Sequence, residues 1–425
     1  MESIVIILLL IAVVVLLASE KVSYLGVSVL ILSTLTISGI LEPSETFANL
    51  ADPTIMLYVG AFIISSAFIK VGLSDDLAQR VLPLLGRWKG REGTVLFAIC
   101  LLVSILTIFL QAFGVQVAML TLILTLSSQL GIGKKKALLA LGFSATIGST
   151  FTLMGNNVNL LAKAAYEELS QGQGWSFFEL SALTAPMGLA MMAVYCFLTS
   201  RWLKEEPETA VESRAVESAG PAEPRSRRKQ GIVLAVTGLF FLAMFLDGKT
   251  PVPANVAVLI CAAILVLGRV MTSEEALGSI SWPIILFTVS VLSLSSCFMK
   301  VGAGEALSDL LVRLLGDQIS LRAMVAIIFV VATLATQLLS NSGTFAICLP
   351  IVVNLALRLQ LPVKPVIVAL CLASSCAFLT PLSAPTFPLL ATTGKISFRE
   401  FLIQGIPLTA ISAIVCIVWI PILWG

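Results

Sequence analysis

Phe68-Ile-Lys-Val-Gly72 returns as Phe298-Met-Lys-Val-Gly302, 230 residues further along. Each copy closes an apolar run that opens on a proline, Asp52-Pro53 in the first and Trp282-Pro283 in the second. A second pair follows: Ala145-Thr-Ile-Gly-Ser-Thr-Phe-Thr152 matches Ala373-Ser-Ser-Cys-Ala-Phe-Leu-Thr380 at an offset of 228. A duplicated membrane chain with matched interruptions in corresponding helices is the sequence signature of a secondary transporter. It predicts a binding site where the two interruptions meet.

The composition fixes the solvent. Mean hydropathy is +1.03, with 58% hydrophobic and 12% charged residues, against about 25% charge in soluble domains. Many apolar runs match the roughly 17–25 residues that cross a bilayer as a helix, and the period-2 alternation of a barrel strand is absent. The sequence therefore predicts an all-α polytopic membrane protein. Its first apolar run, Ile4–Ala18, has no basic residue before it and pairs with Ile232–Leu246 at an offset of 228, so it reads as a retained span and not a signal peptide.

Ten full spans are expected near 3–18, 22–41, 54–71, 136–165, 177–199, 231–247, 252–269, 283–301, 364–392 and 402–424, the fourth and ninth broken. Residues 94–130 and 321–360 are too long for one helix. Each carries a polar midpoint, Gln111–Gln116 and Ser340–Thr344, and reads as a re-entrant hairpin. Irregular backbone at that depth must face protein or a water-filled cavity. The chain then divides into a first repeat (1–202), a cytoplasmic linker (203–229) and a second repeat (230–425). With both termini outside, 19 of the 26 Lys and Arg fall on the inner side, as the positive-inside rule requires. Five spans per repeat is an odd number, so the second repeat is inverted and the two hairpins enter from opposite faces.

Several classes of function are excluded. There is no histidine, hence no His-ligated metal, no Ser-His-Asp or Cys-His nucleophile and no histidine proton relay. No Gly-rich phosphate loop with Lys-Ser/Thr is present, which removes an ATP-driven pump. Without a soluble domain or an acidic pair in a span, the chain does not read as an enzyme, and no cofactor is expected. The eight cysteines lie in or beside apolar spans and read as buried free thiols. The basic segments read as a solvated cytoplasmic face and not as a nucleic-acid site. Ser65-Ser66 and Ser293–Ser296 read as helix-packing residues.

What remains are hydroxyls, amides and backbone groups at the interruptions. The second tip reads Ser340-Asn-Ser-Gly-Thr344, and the second break, Thr380-Pro-Leu-Ser-Ala-Pro-Thr-Phe-Pro388, holds three prolines that no continuous helix accepts. The first break, Thr152-Leu-Met-Gly-Asn-Asn-Val-Asn159, holds three asparagines. Neutral oxygens suit Na+, while amide and hydroxyl donors with helix N-termini suit an anion.

At these residues the chain resembles the divalent-anion/sodium symporter family of the ion transporter superfamily, which carries Ser-Asn-Thr at each tip and a Thr-Pro-Pro-Asn-like loop at each break. Ser340-Asn341-Ser342 is similar to the second tip, Leu379–Phe387 to the second loop, Ile147–Asn159 to the first loop and Ile396–Pro407 to the closing segment. The first tip departs: Ala112-Phe113-Gly114 stands there, with Phe113 in the asparagine's place. The resemblance implies sodium as coupling ion, a homodimer in the inner (plasma) membrane, and a transport domain that moves against a scaffold as an elevator. It implies a small anionic substrate such as a dicarboxylate, citrate or sulfate. An arsenite-type efflux protein or sodium/proton exchanger of the same superfamily is the alternative, weakened by the lack of a buried carboxylate. Candidate anion ligands are Gln111, Gln116, Thr152, Asn156, Asn157, Asn159, Asn341, Ser342 and Thr386. Candidate sodium ligands are Gly114, Gly155, Ser340, Asn341, Thr344, Thr380, Ser383 and Ala384.

Overall fold

In the computed structural model the described residues are 2–19, 22–51, 53–73, 76, 90–170, 175–203, 226–245, 253–301, 319–337, 339–381, 383–384 and 386–425. Most of the expected linker and of the basic segment after Lys70 lie outside them. The described elements are helical, and eighteen α-helices form two sets of nine in the same order. The first set is α1 (Glu2–Ser19), α2 (Tyr24–Ile37), α3 (Pro43–Ala48), α4 (Pro53–Lys70), α5 (Glu92–Phe109), α6 (Ala112–Leu130), α7 (Lys134–Ser149), α8 (Asn157–Leu169) and α9 (Ser181–Phe197). The second is α10 (Arg227–Phe245), α11 (Ala254–Leu267), α12 (Ser273–Gly278), α13 (Trp282–Lys300), α14 (Leu321–Ala335), α15 (Asn341–Arg358), α16 (Val363–Ser375), α17 (Phe387–Gly394) and α18 (Phe398–Trp424). From α2 to α8 each helix starts 229 or 230 residues before its counterpart. Ser181–Trp202, Asn341–Arg358 and Phe398–Trp424 are long and apolar enough to cross a membrane by length and composition.

The helices pack in two groups. In the first, α2 lies against α13 and α11 against α4, so each repeat's third long helix is held by the other repeat's second. In the second, α5 and α6 pack on α7, their counterparts α14 and α15 pack on α16, and α9 meets α18 across the centre. Gly405 on α18 permits a close approach to the segment after α16: a Cβ at that position would lie 1.9 Å from the Phe378 carbonyl oxygen. Between the groups the pairing fails. The hairpin arm α15 packs on α1 and α13, and α8 on α4 and α13, whereas α6 and α17 have no equivalent contacts of similar extent among the described residues.

Ion pairs cross between the repeats in reciprocal fashion. Lys70 reaches Glu275 at 2.5 Å, and its counterpart Lys300 reaches Glu45 at 3.2 Å. Lys135 reaches Glu400 at 2.7 Å, and its counterpart Lys364 pairs with Glu179. Each of these glutamates also accepts from the backbone N–H three residues earlier: Glu45 from Glu42, Glu275 from Thr272 and Glu400 from Ser397 close a helix start, and Glu179 from Ser176 closes a turn ahead of α9. Three of the four carboxylates thus serve a helix cap and a long-range pair at once.

The carboxyls respond accordingly. Lys70 and the Thr272 backbone hold Glu275 below the usual carboxylate range. The Glu42 backbone, then Lys300, lowers Glu45. Burial pushes Glu400 up, but Lys135 and the Ser397 cap together outweigh it and leave it lowered. A carboxyl lowered by folding contributes stability above its unfolded value, and that contribution is lost as pH falls through the folded value. Thermal unfolding of the purified chain should therefore hold steady above about pH 5 and lose its midpoint on further acidification. Glu275→Gln and Glu400→Gln should lower the midpoint at neutral pH and shrink the acid loss; an unchanged acid limb would show that these pairs do not set it.

Candidate functional site

Helices break where polar residues can satisfy the freed backbone, and these breaks create a cavity of about 790 Å³ between the two groups. The first group supplies Phe62, Ser279, Ser281, Ile284, Phe287 and Thr288. The second supplies the starts of α6 and α15 and both breaks, 150–156 between α7 and α8 and 376–386 between α16 and α17. No ionisable side chain is among the lining residues.

Four helices begin at this cavity, and their N-cap residues line it: Gln111 for α6, Asn156 for α8, Ser340 for α15 and Thr386 for α17. Asn156 Oδ1 accepts from Val158 N at 3.1 Å and Ser340 Oγ from Gly343 N at 3.1 Å. Gln111 and Thr386 make no side-chain cap; Ala112 N donates to the Gly155 carbonyl and Phe387 N to the Ala384 carbonyl, and Pro388 carries no N–H. Gln111 Nε2 instead donates to Asn157 Oδ1 at 3.1 Å, and the Thr386 hydroxyl donates to Gln116 Oε1. Gln116 Nε2 donates to the Gly142 carbonyl at 3.0 Å, which ties the first hairpin arm to the second break through one amide. Asn156 Nδ2 donates to Ser375 Oγ at 3.0 Å, joining the two breaks. The unsatisfied N–H groups of a helix N-terminus carry up to about half a positive charge, so these ends give the cavity a positive potential without a cationic side chain.

The walls of the breaks are fastened by a repeated bond. Thr152 Oγ1 donates to the Ile108 carbonyl at 3.1 Å, and Thr380 Oγ1 to the Gln337 carbonyl at 3.3 Å. Asn159, fully buried, donates from Nδ2 to the carbonyls of Ser149 (3.0 Å) and Thr152 (2.8 Å). Gln337 plays a similar part in the second repeat, donating to the Thr333 and Cys376 carbonyls and accepting from Leu379 N. Ser383 Oγ donates to the Ala377 and Thr380 carbonyls. Gly155 sits where a Cβ would meet the Ser149 carbonyl oxygen at 2.5 Å, so the first break can fold this tightly only on glycine.

Of the residues selected from sequence, Gln111, Gly114, Gln116, Gly155, Asn156, Asn157, Ser340, Asn341, Ser342, Ser383, Ala384 and Thr386 line the cavity. Thr152, Asn159, Thr344 and Thr380 are not among its lining residues. Asn341 Oδ1 accepts from Thr336 Oγ1 at 2.9 Å. Two buried hydroxyls in this region, Thr344 on α15 and Ser374 on α16, have no hydrogen-bond partner. Two readings of the tips need correction. The polar tip residues are not the loop itself but the N-cap and first turn of the second arm, because an N-cap residue can accept from freed N–H groups. In addition, the helix starts align Ala112 with Asn341 and Phe113 with Ser342, so alanine and not phenylalanine stands at the asparagine position. The first-group wall was not anticipated. Ser279, Ser281 and Thr288 lie at or near an ordinary helix start, with no break to mark them, and the packing role expected for Ser293 is met by its bonds to Thr46 and Asn49.

A family model described as a citrate transporter matches residues 14–341 and 319–425. The chain belongs to that family. It is therefore a multi-pass membrane transporter and not an enzyme. The Escherichia coli K12 protein YfbS, an uncharacterized transporter, is 30% identical over 186 residues, 44% of this chain and 30% of that protein. The sodium-dependent dicarboxylate transporter SdcS of Staphylococcus saprophyticus is 22% identical over 94% of this chain and 82% of its own length. Among solved structures, the Alcanivorax borkumensis YdaH transporter shares the fold with a TM-score of 0.65 at 13% identity, covering 99% of this chain and 98% of that one. Neisseria gonorrhoeae MtrF does so with 0.64 at 14% identity, covering 100% and 94%.

Asn159 is enclosed by its partners, so its loss should be felt in the fold. Asn159→Ala orphans two buried carbonyls at roughly 1–3 kcal/mol each and should lower the thermal midpoint with or without ligand. A variant of wild-type stability that bound substrate more weakly would instead make Asn159 a ligand.

Proposed function

We propose that the chain couples sodium to the movement of a small anion such as a dicarboxylate, citrate or sulfate across the inner membrane. The observation that carries this is the convergence of four helix N-termini on one cavity. Partial positive charge fixed by backbone stabilises an anion without a lysine or arginine that would hold it too tightly to release. The sodium dependence of the relative SdcS supports cotransport. The second repeat suits the cation: Asn341 Oδ1, the unpartnered Thr344 and Ser374 hydroxyls and the carbonyls of the second break are neutral oxygens of the kind a hard cation prefers. The first repeat offers Ala112 and Val115 at the matching positions, so its asparagines and glutamines serve the anion. The exchanger reading lacks support, since no carboxylate lines the cavity.

The inverted topology gains support from the ion pairs. Lys70, Glu275, Lys135 and Glu400 all fall on the expected inner side, and Lys300, Glu45, Lys364 and Glu179 on the outer, so no pair crosses the membrane. The one-sided docking of α8 and α15 on the first group suits one state of an elevator, with the first group as scaffold and the second as the moving body.

Three measurements test the proposal. Cysteines placed near Lys135 and near Leu361 should label from the cytoplasm and from outside respectively; labelling from one side would end the inverted arrangement. Asn341→Ala should raise the sodium requirement of uptake strongly, and an unchanged requirement at normal expression would remove that site. Asn156→Ala should weaken anion affinity while sodium dependence holds; the opposite pattern would reverse the roles of the two halves.

A further inference from the structure

The two hairpin arms that open on the cavity are equivalent in fold and opposite in chemistry. Counted from their helix starts, Asn341 corresponds to Ala112, Ser342 to Phe113 and Thr344 to Val115. Asn341 and Ser342 line the cavity with oxygen-bearing side chains where Ala112 and Phe113 line it without, while Thr344 and Val115 are buried behind them. Phe113 is 58% exposed where its counterpart is a serine, and it lines the cavity. Phe62 on α4 and Ile284 and Phe287 on α13 add apolar wall from the other group. An aromatic left this exposed beside amides and hydroxyls keeps apolar surface in water unless a ligand covers it. No lysine or arginine lines the cavity to hold a further anionic group at that end.

We propose that the substrate is an amphiphilic carboxylate, with one anionic head held by the first-repeat amides of Gln111, Asn156 and Asn157 and an apolar body laid against Phe113. Phe113 is then the residue that selects for the body. The inference rests on the anion-transport reading and departs from it in the substrate: a compact polyanion with charge at both ends would set its second charge against Phe113 and the apolar wall of Phe62, Ile284 and Phe287. Burial of each methylene of the body against this wall strengthens binding about fourfold, and the head contributes the same in every member of a series.

The test uses the purified full chain in sodium buffer and, as control, in choline buffer. Ligand-induced thermal shifts are measured for succinate, citrate and sulfate, and for acetate, butyrate, hexanoate and phenylacetate. Affinity should rise from acetate to hexanoate, and phenylacetate should bind more tightly than succinate. In Phe113→Ser, which copies the second repeat, the loss should grow with the body: slight for acetate and about tenfold or more for phenylacetate. Phe113→Leu, which keeps an apolar side chain, should retain most of the affinity and guards against a folding defect. Succinate, citrate or sulfate binding more tightly than every monocarboxylate, or an equal loss for acetate and phenylacetate in Phe113→Ser, would overturn the inference and leave anion transport standing. A chain that no anion stabilises in sodium would overturn both.

Discussion

Hydrocarbon offers no hydrogen bonds, so every backbone group freed by an interrupted helix must find its partner inside the protein. This chain interrupts its helices at both breaks and both tips, and the rest of the structure follows from how those groups are satisfied. Carbonyls left by α5 and α14 are taken by Thr152 and Thr380. Carbonyls left by α7 and α16 are taken by Asn159 and by Gln337. The N–H groups are treated differently: α8 and α15 have side-chain caps, while α6 and α17 do not. Acceptors are closed off by side chains, and on the reading proposed above the N–H groups left without a side-chain cap at the start of α6 would serve an anion.

Duplication explains how so many breaks are tolerated in one body. Each repeat completes the other: α2 packs on α13 and α11 on α4, and the four crossing ion pairs join residues of different repeats. Neither repeat has all its partners alone. The crossing pairs differ in exposure, with Lys300 and Glu45 about half exposed and Lys135 and Glu400 mostly covered. Exposed pairs contribute little, typically under about 1 kcal/mol, so the two pairs within the second group, Lys135–Glu400 and Lys364–Glu179, are the more consequential.

The duplication, the helix breaks and the polar tips were legible in the sequence because each departs from an apolar background. Proline at 381, three asparagines from 156 to 159 and Ser340–Thr344 cannot be read as ordinary spans. The use of each residue was less legible. Asn156 and Asn159 are three apart in one motif, yet one lines the cavity and the other is sealed against carbonyls. That difference is set by the turn at Gly155, which sequence pattern does not resolve. The register of the first tip was also hidden, since only the helix start shows that Ala112 matches Asn341. The first-group wall left no signal, because Phe62, Ser281 and Thr288 look like any helix residues in lipid.

The mismatch between symmetric interiors and an asymmetric junction has an energetic meaning. On the elevator reading proposed above, the contacts of α15 and α8 with α1, α4 and α13 would be exchanged in a second state for contacts of α6 and α17 with α10, α13 and α4. Two arrangements built from equivalent faces differ in free energy only through positions where the repeats have diverged. Ala112 against Asn341 and Phe113 against Ser342 are such positions. The balance between two near-degenerate minima would then be written in the divergence of the repeats and not in their architecture, and a substitution that made the halves more alike would level the landscape without touching a single contact between the groups.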